Sequence, residues 1–197
     1  MSRKVEFYYD FSSPYTYIAS ERIEKICRDH GAELEWKPFL LGGVFNEIES
    51  KPAAEIDSKL QYIKKDTVES ARFYGVPFNF PEVFPVNSVR SMRGAFAASE
   101  QDKLVEYNHL LFRIYWTEGA DLSSVEVLGE AVGRIGIDPE WFVNRIGEQE
   151  IKDKLRDETA VAVERGAFGA PTMFVDDKMF WGNDRLSFLE RYLEESS

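Results

Sequence analysis

Cysteine is almost missing from this 197-residue chain, and Cys27 is the only one. One thiol cannot close an intrachain disulfide, build a cysteine-based metal centre or carry out dithiol exchange. Cys27 falls on the apolar stripe of a predicted helix, where a buried structural thiol is expected. Histidine is scarce as well: His30 and His109 show no ligand spacing, so no metal site is expected. No run of about 18 apolar residues occurs, which argues against a membrane-spanning helix. The N-terminal MSRKVEFYYD lacks the apolar stretch of a secretion signal. These absences together predict a soluble, cytoplasmic protein. Positive charge is also in deficit, with 24 basic against 35 acidic residues and a net charge of −11. That balance argues against nucleic-acid binding, which needs Lys and Arg on phosphates. It reads as a solvated, self-repelling surface.

The chain does have core material, being 44% hydrophobic and 14% aromatic. Its length suits one large domain or a domain with an insertion. Val5, Phe7, Tyr9 and Phe11 alternate with Glu6, Tyr8 and Asp10, predicting a strand. After Pro14, apolar residues at 15, 18, 19, 23, 26 and 27 predict a helix that stops near Gly31. AELEWKPF predicts a second strand, and the helical crossover favours parallel pairing. A helix is expected over 53–74, then a proline-interrupted stretch, VPFNFPEVFPVNS. Helical patterns resume near 89–101, 103–117 and 124–135, the last with a capping box of Ser123 and Glu126. Asp138-Pro139 opens a short helix, and another is expected over 150–165. PTMFV and KMFWG flank Asp176-Asp177 as a hairpin, and Asn183-Asp184 is expected to cap a final helix. The order is β-α-β, a block of helices, then α-β-β-α. This predicts an α/β protein with residues 1–52 and 150–197 as a thioredoxin-like domain and 53–149 as an all-helical insertion.

Several stretches could carry chemistry. In the thioredoxin arrangement, the tetrad Ser13-Pro14-Tyr15-Thr16 stands where strand one meets its helix, the place of a redox Cys-X-X-Cys. A helix N-terminus exposes unpaired N–H groups and favours an anion, including a thiolate. A serine there cannot exchange disulfides but can donate to a thiolate brought by a ligand. The plainer alternative is that Ser12 or Ser13 is an N-cap before a proline. In FGAPTMF, Pro171 stands where that arrangement places a cis-proline, turning the backbone of Ala170 toward an extended ligand. In WGNDR, Arg185 could pair with a ligand carboxylate and Asp184 with an ammonium, against plain helix capping by Asn183 or Asp184. Lys59 reads as a solvated helix lysine, Asn87 as a loop cap, and Arg90 and Arg93 as solvated charges or as a cationic lip over a site.

FYYDFSSPYTYIA, SKLQYIKKD, GVPFNFP, FPVNSVRSMR and FGAPTMFVDDKMFWGNDRL occur in one order and span nearly the whole chain. In that order they resemble the kappa-class glutathione transferases and, more closely, the 2-hydroxychromene-2-carboxylate isomerases. The resemblance implies a DsbA-like thioredoxin fold with a helical insertion, glutathione as cofactor and a homodimer. It implies Ser13 as the catalytic serine at the glutathione sulfur. Ala170 and Pro171 would supply the backbone contact, Asp184 and Arg185 the γ-glutamyl pair with Asn183 as a neighbouring cofactor contact, and Lys59 a further contact to cofactor and substrate. Asn87 and Arg90 would face the substrate. Kappa enzymes carry an asparagine glutathione ligand before their Lys-Pro; here Ser50 holds that position and would be the corresponding cofactor contact, with a shorter side chain. The expected activity is a glutathione-dependent isomerisation of a small aromatic-derived substrate. A conjugating transferase and a redox-inactive thiol- or peptide-binding protein are the alternatives.

Overall fold

The computed structural model describes residues 2–195. The alternating N-terminal segment becomes β1, Lys4–Tyr9, at the centre of a four-stranded sheet of order β2-β1-β3-β4. β2, Glu33–Pro38, lies parallel to it, with Phe7 beside Trp36. β3, Thr172–Val175, pairs antiparallel on its other side, and β4, Lys178–Trp181, closes the edge as the predicted hairpin. Strands from both ends of the chain therefore share one sheet. Asp176 makes the hairpin turn with a left-handed φ of 54°.

Successive side chains of β1 point to opposite faces, and both faces are covered. Phe7, Tyr9 and Phe11 join Trp36, Tyr107 and Phe112 in the larger core cluster. Tyr8 faces the other way, against Phe39 and Phe174. The predicted polar positions Tyr8 and Asp10 are thus as buried as their apolar neighbours.

α1 (Pro14–Asp29) crosses from β1 to β2 and packs against α3 (Asp57–Tyr74) and α9 (Leu186–Glu194). The helical block consists of α3, α4 (Val89–Ser99), α5 (Leu104–Glu118), α6 (Val125–Arg134) and α7 (Pro139–Arg145). α8 (Gln149–Glu164) returns the chain to the sheet. The larger core cluster runs without a break from β1 through α4 to α7. α4 and α5 approach so closely at Gly94 that a Cβ there would overlap the Tyr107 hydroxyl, which donates to Ser91 O at 2.8 Å. Cys27 is buried, and desolvation pushes its thiol up to about 12, as expected of a structural thiol.

Local expectations need three corrections. A short helix, α2 (Leu41–Glu47), was not foreseen, because Gly42 and Gly43 sit inside it and weaken its pattern. The cap of α6 is Ser124, not Ser123: Ser124 Oγ accepts from Val127 N at 3.2 Å, while Ser123 turns back to Asp121. Asn183-Asp184 caps no helix by side chain; Asn183–Arg185 forms a 3-10 turn leading into α9. Asp138 does cap α7, accepting from Trp141 N at 2.6 Å with Pro139 next in line.

Candidate active site

The end of β1 is drawn into a tight turn by one carboxylate. Ser13 N donates to Asp10 O at 3.2 Å. Asp10 Oδ1 accepts from Ser12 N at 2.9 Å and from Ser12 Oγ at 2.8 Å. Its Oδ2 accepts from Leu41 N at 2.8 Å, at the first residue of α2. Asp10 is fully buried and forms no ion pair among the described residues. Burial raises its pKa, and the hydrogen bonds from Ser12, Leu41 and Ser88 pull it back down. On the other face of the turn, Trp116 Nε1 on α5 donates to Phe11 O at 3.0 Å.

That turn delivers Ser13 to the N-cap of α1. Its Oγ accepts from Thr16 N at 3.2 Å, and Pro14 fills the first helical position, where no N–H is needed. The same hydroxyl donates to Ala170 O at 3.1 Å. The cap and the contact across to the Ala170–Pro171 loop are therefore one group doing both. Ser12 is taken up by Asp10. The Ala170–Pro171 peptide is cis, as is Phe84–Pro85. Thr16, at the second-cysteine place, is fully buried with its hydroxyl unpartnered.

Beside Ala170 opens a cleft of about 410 Å³. Tyr15, Tyr62, Asp66 and Tyr74 form one wall, and Trp181 to Asp184 the other. Tyr15 and Tyr62 donate to the two oxygens of Asp66 at 2.8 and 3.2 Å. Burial, together with the Asp66 carboxylate, holds the Tyr15 phenol above its ordinary pKa, so it remains a donor. Arg22 braces the cleft from behind: its guanidinium lies 3.5 Å from the Tyr74 ring centroid and donates to Asn183 O at 3.3 Å. Gly182, with φ 103°, brings β4 into the cleft; a Cβ there would lie 2.6 Å from Asp184 Oδ1.

The expected residues fall into two groups. Ser13, Ala170, Pro171, Asn183 and Asp184 come together around this cleft and its α1 end. Arg185 follows Asp184, but its guanidinium lies 3.7 Å from the Asp184 carboxylate and 4.8 Å from the Phe188 ring. Lys59 and Ser50 are exposed and outside the lining. Asn87 is exposed, its Oδ1 accepting from Val89 N at 3.2 Å, the loop capping that was the plainer reading. Arg90 is exposed and donates to Ser123 O at 3.0 Å. Sequence reasoning missed Tyr62, Asp66 and Asp10. The i, i+4 spacing of Tyr62 and Asp66 on α3 was a usable signal, as was an Asp two residues before a Ser at a strand end. No group of three or more His, Cys, Asp or Glu among the described residues could hold a metal ion. Among the described residues, no helix is long and apolar enough to cross a membrane.

The sheet order, the α1 cap and the facing proline loop define a thioredoxin-type protein with serine in place of the first redox cysteine. The chain belongs to the DsbA-like thioredoxin domain family, whose model matches residues 4–194. Within that family it is 34% identical over 190 residues to the 2-hydroxychromene-2-carboxylate isomerase of Pseudomonas putida, covering 94% of this chain and 92% of that one. It is 30% identical to glutathione S-transferase kappa 1 of Rattus norvegicus, covering 98% and 92%. A solved structure of a selenomethionine 2-hydroxychromene-2-carboxylate isomerase superposes with a TM-score of 0.89 at 31% identity, covering 98% of this chain and 95% of that one. These similarities put the chain among the enzymes of the family.

Proposed function

We propose that this chain is a glutathione-dependent isomerase of 2-hydroxychromene-2-carboxylate or a closely related aromatic-derived acid. The observation that carries this reading is the hydrogen bond from Ser13 Oγ to Ala170 O at the open end of α1. It joins a hydroxyl, a helix N-terminus and a strand-like backbone edge at one place. The identity to the isomerase of Pseudomonas putida supports the substrate class.

The donor set suits a peptide-like thiol. Asp184 offers a carboxylate for an ammonium group, and Arg185 a guanidinium for a carboxylate. Ala170 and Pro171 offer backbone to an extended main chain. Ser13 would hold the sulfur end, its hydroxyl leaving Ala170 O. The Tyr15 N–H and the helix dipole act at the same end, because Pro14 has no N–H and Thr16 N already serves the Ser13 cap. When bound, glutathione supplies a nucleophilic sulfur that is recovered unchanged after turnover. Ser13 and the α1 terminus favour negative charge there, which lowers the pKa of a thiol. Tyr15, kept protonated, orders the cleft wall through Asp66. Ser50, Lys59, Asn87 and Arg90 stay outside this reading.

The test is product analysis with 2-hydroxychromene-2-carboxylate and glutathione, following substrate absorbance and free thiol together. The expected result is interconversion with its trans-benzylidenepyruvate isomer and no net loss of thiol. A thioether product with stoichiometric thiol loss would instead make the chain a conjugating transferase, the reading that the kappa-class similarity favours. No turnover of either kind, with no glutathione binding by calorimetry, would overturn both.

A further inference from the structure

A second cleft, of about 210 Å³, opens between α2, α4 and α8 and shares no lining residue with the cleft beside Ala170. Leu40 and Leu155 are among its apolar lining. Its charged lining is Arg93, Lys152 and Arg156 against a single acid, Glu47. In a chain of net charge −11, three cations against one acid run counter to the overall composition. Arg156 is already held by Asp153 and Asp157. Arg93 and Lys152 have no ion pair and no side-chain hydrogen bond among the described residues, and Arg93 Nε is buried without a partner.

Other polar groups at the cleft are spent. Thr159 Oγ1 accepts from Leu40 N at 2.9 Å and donates to Leu155 O at 2.7 Å. The walls are also tightly set: a Cβ on Gly43 would lie 3.2 Å from Thr159 Cγ2. Burial and the neighbouring Arg90 hold the Arg93 guanidinium below its usual pKa, as expected for a desolvated cation facing another cation. A buried donor without an acceptor is costly, and an anionic ligand removes that cost.

We propose that the α2–α4–α8 cleft binds a small organic carboxylate, its charge on Arg93 and Lys152 and its apolar body on Leu40 and Leu155. The guanidinium fork matches a planar carboxylate. The apolar lining favours a carboxylate with an attached ring or chain over a bare inorganic anion. This assignment is independent of the thiol chemistry proposed for the other cleft.

The probes are benzoate, its neutral isostere benzamide, and inorganic phosphate. Each is titrated into the full-length protein while the backbone amide NMR signals of Gly43 and Ala160 are followed. Benzoate is expected to shift both signals saturably, with benzamide and phosphate weaker by about tenfold or more. Arg93→Met and Lys152→Met are each expected to raise the benzoate Kd by about fivefold or more, with signal dispersion intact. Lys152 is the safer variant for folding, since Arg93 Nε is buried in the protein and the Lys152 ammonium is not. The assignment falls if benzoate shifts only the Gly182 and Ala170 signals, or none. It falls equally if benzamide or phosphate binds as tightly as benzoate, or if neither variant changes the Kd.

Discussion

The two clefts are built from different parts of the secondary structure and carry opposite charge. The cleft beside Ala170 is lined by Asp66 and Asp184 with no lysine or arginine; the one between α2, α4 and α8 holds three cations and one acid. The first sets one face of α3 against a group of element ends: the start of α1, the loop before β3 and the end of β4. Element ends leave backbone groups unpaired, so such a site can read a peptide-like ligand. The second is assembled mainly from helix faces, whose backbone is already paired. It can offer only side-chain charge and apolar surface. The same fold thus provides one site that reads main chain and one that reads charge and shape.

The largest expected effect separates them most sharply. Ser13→Ala should lower turnover by about 10²- to 10³-fold, the range for losing a donor at a developing negative charge. Its thermal stability should fall only by the worth of a cap, about 1 kcal/mol. Wild-type turnover in that variant would dissolve the distinction drawn for the first cleft. Asp10→Ala should be the larger structural lesion. It strands the Ser12 and Leu41 amides without an acceptor, and urea unfolding should show a loss of about 2–4 kcal/mol. An unchanged midpoint would mean that the Ser13 turn is held by something other than this carboxylate. Asp184→Asn should raise the KM for glutathione by about tenfold with little change in kcat, the pattern of lost ground-state binding.

The smallest effect tests the charge contrast along α8. Lys154 is paired with Glu100 and Glu150, whereas Lys152, two residues earlier, is not. Arg145 and Lys154 hold the Glu100 carboxyl at about 2, below its ordinary 4.5. A carboxylate bound more tightly in the folded state contributes stability above its unfolded value and loses it as pH falls through the folded one. The Tm deficit of Glu100→Gln should therefore be present at neutral pH and close between pH 4.5 and about 2. Partial exposure of the pair keeps the underlying free-energy loss below about 1 kcal/mol.

The strands and long helices were legible because their signals are local. Alternation over Val5–Phe11 and the spacing of Tyr15 to Cys27 each report a single element. Ser13 and Ala170 were legible as candidates because strand and helix order brings those two positions face to face. What escaped was contact between distant helices. Tyr15 meets Asp66 across 51 positions, and Arg93 meets the α8 residues across a longer interval. Nothing in either segment alone marks the encounter. Asp10 escaped for another reason. Alternation assigned it to a polar face, but α2 and the α4 entrance cover that face, and both belong to segments with weak patterns of their own.

The turn that carries Ser13 has a consequence for the protein's life on the ribosome. Its supports arrive in instalments, Leu41 first, then Trp116, and last Ala170. A nascent chain emerges N-terminus first, so the serine gains its opposite wall only after the chain has grown by a further 157 residues. Fragments released prematurely would carry the complete first motif and none of its reactivity. Truncation from the C-terminal side should therefore silence the enzyme well before it removes any residue that the opening sequence offers to chemistry.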